Sequence, residues 1–195
     1  MNTIFERKFN REFVNILPGE YHIVSKSGAI TTLLGSCVAV VLYDSTAVVG
    51  GMNHFMLPES IRAKKFYLSS AGKYGMYAME LLINGLIKAG GHKKNFKAKV
   101  FGGGSVLGDA FNRTSRIPES NIRMALDYLK EEDIPVVTSD VGGDQARKVY
   151  FILDDYKVYM RKIEKNKIKS IKEKELSYLE KISRKKEENK GIKLF

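Results

Sequence analysis

An α+β fold with mixed, largely antiparallel β-sheets flanked by helices is predicted from three observations. Candidate strands come first, then a helix, a strand, a second helix and a closing group of strands. That order does not repeat as βαβ units. Two neighbouring apolar segments are joined by a short polar connection, Asp44-Ser45-Thr46, and two more by Asp154-Asp155, as hairpins require.

The elements follow in chain order. Residues 1–17 mix both charge signs and are expected to form a short helix or arm. Pro18-Gly19 is a turn signal. Tyr21 to Ser25 reads as a strand, and Ala29 to Leu34 as another, with β-branched Ile30, Thr31 and Thr32. Cys37 to Tyr43 is apolar at every position, so it belongs inside a sheet. Ala47 to Phe55 is its hairpin partner. Pro58 to Phe66 reads as a loop. Ser69-Ser70 can cap a helix running to Lys88, with Tyr74, Tyr77, Ala78, Leu81, Leu82 and Ile83 as its apolar side and Gly90-Gly91 ending it. Ala98 to Phe101 is strand-like. A second helix spans Pro118 to Lys130, with proline well placed in the first turn. Ile134 to Thr138, Lys148 to Leu153 and Lys157 to Met160 complete the strands.

The 195 residues suffice for one substantial domain with an appendage. No apolar run approaches the roughly 18 residues of a membrane helix. The N-terminus has the features neither of a secretory signal nor of a cleavage site. A single cysteine rules out an internal disulfide, and a reducing cytoplasm is the expected compartment. The net charge of +11 is uneven. From Lys157 onward there are 14 Lys and Arg against 6 Asp and Glu, while residues 1–156 hold 19 against 16. Ile168, Ile171, Leu179 and Ile182 fall in one sector of a helical wheel, so the tail reads as an amphipathic basic helix with a solvated charged face, packing weakly on its parent domain. Partner docking is the next reading of the tail, and nucleic-acid or membrane binding the last.

The chemistry-bearing pair is Cys37 and His54, seventeen residues apart. If Ser45 and Thr46 are the two loop residues of the hairpin, Asp44 pairs with Ala47 and Cys37 with His54. Opposed residues share a face, with Cβ atoms about 4.5–5.5 Å apart. A one-residue slip would put Phe55 there instead. A cysteine beside a histidine can attack as the thiolate, and the histidine can take and return the proton. Backbone N–H groups near Gly35, Ser36 and Cys37 can face an oxyanion, and Gly35 lets a substrate approach closely. Thr31 or Thr32 on the adjacent strand can orient the imidazole. The competing reading is a buried cysteine that fills the core. Cys37, His54, His22 and His92 show no zinc-ligand spacing, so no metal is expected.

ITTLLGSCVAVVLYD, GGMNHFMLPES, KYGMYAMELLINGL, KAKVFGGGSVL and IPVVTSDVGGDQARKVYF, in that order, resemble successive motifs of the chemoreceptor glutamine deamidases, the CheD family. The similarity runs over residues 16–163 and divides the chain into a deamidase domain, 1–163, and a Lys-rich tail, 164–195. The resemblance implies a cysteine-hydrolase fold shared with glutamine-deamidating toxins. It implies a protein-glutamine amidohydrolase that converts receptor glutamines to glutamate through a thioester, with no cofactor. It implies Cys37 as nucleophile, His54 as proton shuttle and Thr31 as third member. The implied partners are the cytoplasmic domain of a chemoreceptor and a CheC-type phosphatase. The alternative is a module that mainly binds and regulates that phosphatase. Ile117-Pro118-Glu119-Ser120-Asn121 departs from the family pattern, matching only at the isoleucine and the asparagine.

Val100 to Ser105 lacks the endings of a P-loop or a dinucleotide site and reads as a tight turn or the wall of a cleft. Asp140 to Asp144 reads as a turn, His22 as structural and His92 as exposed.

Overall fold

The computed structural model describes residues 1–57, 69–106, 116–163, 173 and 175–182. Its strands are β1 (Asn2–Glu6), β2 (Arg11–Asn15), β3 (Tyr21–Ser25), β4 (Ala29–Leu34), β5 (Val38–Asp44), β6 (Val49–Asn53), β7 (Lys97–Gly102), β8 (Val136–Val141), β9 (Ala146–Ile152) and β10 (Lys157–Ile163). Its long helices are α1 (Ser70–Lys88) and α2 (Ile117–Glu131). A further helical segment over 175–182 is called α3 here. The fold is α+β. One sheet has the order β1-β2-β4-β9-β10 and the other β3-β6-β5-β7-β8. All pairings are antiparallel except β2 with β4 and β7 with β8.

Strand β5 explains the layering. Its seven residues are all buried, because both of its faces are covered. Val38, Val40 and Leu42 join α1 and α2 through Met79, Leu82 and Leu129. Ala39, Val41 and Tyr43 alternate with them and meet Ile30, Val149 and Phe151 of the other sheet. The order is therefore sheet, sheet, helices, with one apolar core on each side of β5.

The helices start and stop as the sequence indicates. The Ser69 side chain accepts a hydrogen bond from Gly72 N at 2.9 Å, satisfying one free donor of the first turn. Tyr77, assigned to the apolar side of this helix, is 58% exposed; the buried face is carried by Met79, Leu82 and Leu86. Residues 58–68 lie outside the described residues, and with them the whole of the expected Pro58 to Phe66 loop.

Two expectations are corrected. Residues 1–17 form neither a helix nor an arm but the hairpin β1–β2, turned at Asn10 in a left-handed conformation. Its inward residues, Phe13 with Ile4 and Phe9, pack on Tyr150 and Ile152, while the other face carries Thr3, the exposed Phe5, Glu12 and Val14. The β5–β6 hairpin has a four-residue loop, not two: Asp44 pairs with Val49 and Val41 with Met52. The Asp44 carboxylate stabilises that loop by accepting from Thr46 N and Ala47 N.

Candidate active site

The two-residue change of register decides where Cys37 and His54 stand. Val38 faces Phe55 in an isolated bridge that continues the hairpin. Extending that register by one position sets Cys37 opposite Met56, so His54 is its diagonal neighbour. A slip of two keeps every side chain on its original face, whereas a slip of one would have parted them. A sulfur and an imidazole reach across a diagonal. Cys37 Sγ, a His54 ring nitrogen and a Glu175 carboxylate oxygen lie within 4.8 Å of one another, all three residues buried.

Cys37 sits where the chain passes from one sheet to the other, between β4 and β5. The carbonyls of this crossover are all held. Gly104 N donates to Gly35 O and Gly103 N to Cys37 O, each at 2.7 Å, and Asn121 Nδ2 donates to Ser36 O at 2.8 Å. The three N–H groups are then free to converge on one acceptor. Glu175 Oε1 accepts from Gly35 N at 2.8 Å and Cys37 N at 3.3 Å. Its Oε2 accepts from Ser36 N at 3.0 Å and Ser36 Oγ at 2.7 Å. Successive N–H groups aimed at one anion make a nest, the arrangement that stabilises an oxyanion. Gly35 is needed for the approach: a Cβ there would lie 2.8 Å from Oε2 and 2.9 Å from Oε1.

His54 is fixed through its backbone, with Gly19 N donating to its carbonyl at 2.7 Å and its own N donating to Glu20 O at 2.9 Å. Its ring Nδ1 is 2.7 Å from Thr32 Oγ1. That hydroxyl donates its one proton to Ile16 O at 2.8 Å. It must therefore accept from the ring, which puts the imidazole proton on Nδ1 and leaves Nε2 bare. Nε2 is buried and has no hydrogen-bond partner among the described residues. The bare nitrogen is the one a base needs.

Thr31 and Thr32 lie on opposite faces of β4, as adjacent strand residues do. Thr31 Oγ1 donates to Val149 O at 2.7 Å and takes no part in the contact with His54. The structure brings Cys37, His54, Gly35 and Ser36 together and adds Thr32, not Thr31, at the imidazole. The parity was readable: Ile30, Thr32 and Leu34 alternate onto the face that meets Cys37, with Ile30 and Leu34 in its apolar cluster.

Burial pulls the His54 pKa down to about 3, opposed by the nearby Ile16 carbonyl. Burial pushes the Cys37 thiol well above its ordinary value, and the charge of Glu175 and its hydrogen bond push it further. The pair stands as a neutral thiol and a neutral imidazole, with an anion already in the nest.

Asn121 and Glu175 were not singled out as site residues from the sequence. Asn121 is the asparagine that matched the family in the otherwise divergent Ile117 to Asn121 run. It bridges the site, accepting from Leu57 N and donating to Ser36 O, both at 2.8 Å. Glu175 sits in a Lys/Glu-rich run where nothing local marks it. Its helix is not a weakly packed, solvated one: Glu175 is 1% exposed and Leu179 4%. Ile168 and Ile171 lie outside the described residues.

Cys, His and Glu are ligand types that zinc accepts. Here both carboxylate oxygens are already engaged by the four donors of the crossover. The donor set fits an anion in a nest better than a cation centre. Gly102 to Gly104 do wall the site, since the N–H groups of Gly103 and Gly104 hold the crossover. Asp140 and Val141 end β8 rather than lying in a turn, and Gly142 to Asp144 turn the chain into β9, with Arg147 donating to Asp140 Oδ1 at 2.6 Å and Gly142 O at 2.7 Å. His22 is half-buried on β3 and His92 is exposed. No described helix is long and apolar enough to cross a membrane.

A buried cysteine and an oriented histidine beside an anion nest are the parts of a thiol-dependent acyl-transfer site. Residues 56–162 match the family model described as CheD chemotactic sensory transduction. The chain is 45% identical over 162 residues to a probable chemoreceptor glutamine deamidase CheD 1 of Dechloromonas aromatica, covering 83% of this chain and 79% of that protein. It is 41% identical over 182 residues to a probable chemoreceptor glutamine deamidase CheD of Laribacter hongkongensis, covering 93% and 87%. A Shewanella oneidensis relative with the former name is 42% identical over 177 residues, covering 91% and 85%. The chain belongs to the CheD family.

Proposed function

We propose that this chain is a protein-glutamine amidohydrolase that converts glutamine side chains on the cytoplasmic part of chemoreceptors to glutamate. The observation that carries the reading is the convergence of Cys37 Sγ, a His54 ring nitrogen and a carboxylate-filled N–H nest within 4.8 Å. The names of the relatives supply the substrate.

In the proposed reaction the substrate carboxamide oxygen takes the place of Glu175 in the nest. A neutral amide there removes the charge that opposes the thiolate. Cys37 Sγ attacks the amide carbon and its proton passes to His54 Nε2. The oxyanion is held by the N–H groups of Gly35, Ser36 and Cys37. The imidazolium returns the proton to the departing nitrogen, and ammonia leaves a γ-glutamyl thioester on Cys37. Water, deprotonated by His54, adds to the thioester, and collapse releases glutamate and the thiol. The net change is glutamine plus water to glutamate plus ammonium, the departing ammonia taking the proton that the new carboxylic acid gives up. A cleft lined by Ile16, Leu17, Pro18, Leu33, Lys148 and the site residues His54 and Glu175 offers that water a route. Thr32 orients the ring, and Asn121 holds the Ser36 peptide.

The test is incubation of the purified chain with a chemoreceptor cytoplasmic fragment, reading ammonia release and amide-to-acid conversion by mass spectrometry. Conversion of defined glutamines is expected. No conversion on any cognate receptor would overturn the reading.

A further inference from the structure

We propose that the C-terminal segment of this chain is a tethered product mimic: α3 docks as a substrate helix would, with Glu175 in the position of the newly formed glutamate, and it must leave before a receptor can enter. The inference rests on the deamidase reading and adds a regulator of the same site.

Three observations carry it. The first is chemical identity. A glutamate side chain is what deamidation of a glutamine leaves, and Glu175 places its carboxylate against all three N–H groups of the crossover, within 4.8 Å of Cys37 Sγ. The second is the form of presentation. Glu175, Tyr178, Leu179 and Ile182 are spaced as one face of a helix, and Leu179, Tyr178 and Ile182 pack on the apolar cluster that contains Cys37. This is helix-in-groove recognition, with a reactive side chain at position i and apolar anchors at i+3, i+4 and i+7. The Tyr178 hydroxyl also hydrogen-bonds that of Tyr74 on α1. The third is electrostatic. The carboxylate opposes ionisation of Cys37, so the occupied site is also a quiet one.

The tether makes occupancy effective. Glu175 follows the end of β10 by twelve residues, and a ligand on so short a linker competes at a high effective concentration. The partner that displaces it is a helix carrying a glutamine with apolar residues three, four and seven positions further on.

The decisive variant is Glu175→Gln in the full-length chain, which turns the mimic into a substrate. Cys37 would attack the carboxamide carbon of the introduced side chain, ammonia would leave, and water would restore glutamate. In heavy-oxygen water, peptide mapping should find position 175 as glutamate carrying one heavy oxygen. In Cys37→Ala/Glu175→Gln it should remain the amide. Separately, Glu175→Ala should speed alkylation of Cys37 by iodoacetamide, by about tenfold for each unit the thiol pKa falls, and should raise receptor deamidation. Alkylation equal in Glu175→Ala and the unsubstituted chain would overturn the occupied site, whatever the receptor assay gives. Receptor conversion by Glu175→Gln with its own introduced amide left intact would overturn the product-like pose and leave the deamidase reading standing. Faster alkylation, with neither the introduced amide nor any receptor glutamine converted, would support occupancy and overturn the deamidase reading alone.

Discussion

Replacing Thr32 with valine keeps the shape of the side chain and removes one oxygen. That oxygen serves two buried partners, accepting from His54 Nδ1 at 2.7 Å and donating to Ile16 O at 2.8 Å. Each of the two orphaned buried groups costs about 1–3 kcal/mol, so a loss of roughly 2–6 kcal/mol in stability is expected. The catalytic loss is smaller than removal of His54 would cause, because the Ile16 carbonyl still favours a proton on the ring. If about 2 kcal/mol of ring orientation is lost, the rate of deamidation falls roughly thirtyfold. Thr32→Ser should restore most of it. Thr31→Val breaks only the bond to Val149 O. It should cost about 1–3 kcal/mol in stability and leave the rate within about twofold once compared at equal folded fraction. The assay is receptor-fragment deamidation alongside urea unfolding for all three variants. A rate that collapses in Thr31→Val and survives in Thr32→Val would refute the assignment of Thr32 as the orienting group.

Three more expectations follow from the same geometry. His54 has a folded pKa of about 3, below the ordinary 6.5, so the unfolded chain binds the extra proton between those values. Its contribution is fully present above pH 6.5 and falls by about 1.4 kcal/mol per pH unit below it. The thermal midpoint should therefore drop more steeply on acidification from pH 7 to 5 than in His54→Asn, and parallel slopes would contradict it. Asn121→Leu leaves Leu57 N–H and Ser36 C=O without their partner, and the urea midpoint should report a loss of about 2–6 kcal/mol; an unchanged midpoint would count against the bridge. Gly35→Ala places a Cβ 2.5 Å from Val106 Cγ2 and 2.8 Å from the position of Glu175 Oε2. Far-ultraviolet circular dichroism should stay the same while receptor conversion is lost, and normal conversion would mean that the side chain does not enter along Gly35.

Much of this architecture was legible in local chemistry. Ser69 ahead of a periodic run and Gly90-Gly91 after it bound α1, and the burial of six of the seven β5 residues, all but Asp44, follows from the unbroken apolar run. The Cys37–His54 encounter was legible for a reason more robust than the loop it was derived from. Residue parity along a strand has period two, so the four-residue loop moved His54 from direct to diagonal contact without changing its face. The loop itself was hidden because Val48 adopts a left-handed conformation, at φ 53°, that valine rarely takes. The β1–β2 hairpin was hidden at its sheet edge because apolar and charged residues are mixed on both faces: Glu6 and Arg11 share the inward face with Ile4 and Phe13, and Phe5 lies on the outward one. Glu175 could not be read at all. Its meaning comes from three N–H groups more than a hundred residues away, and a glutamate in a Lys/Glu-rich run carries no local signature.

The most direct test compares the unsubstituted chain, Cys37→Ala and His54→Ala on one receptor cytoplasmic fragment, with glutamine-to-glutamate conversion followed by mass spectrometry. Conversion by the unsubstituted chain and none by either variant is the expected result. Conversion that persists in Cys37→Ala would contradict the assignment of this buried thiol as the nucleophile.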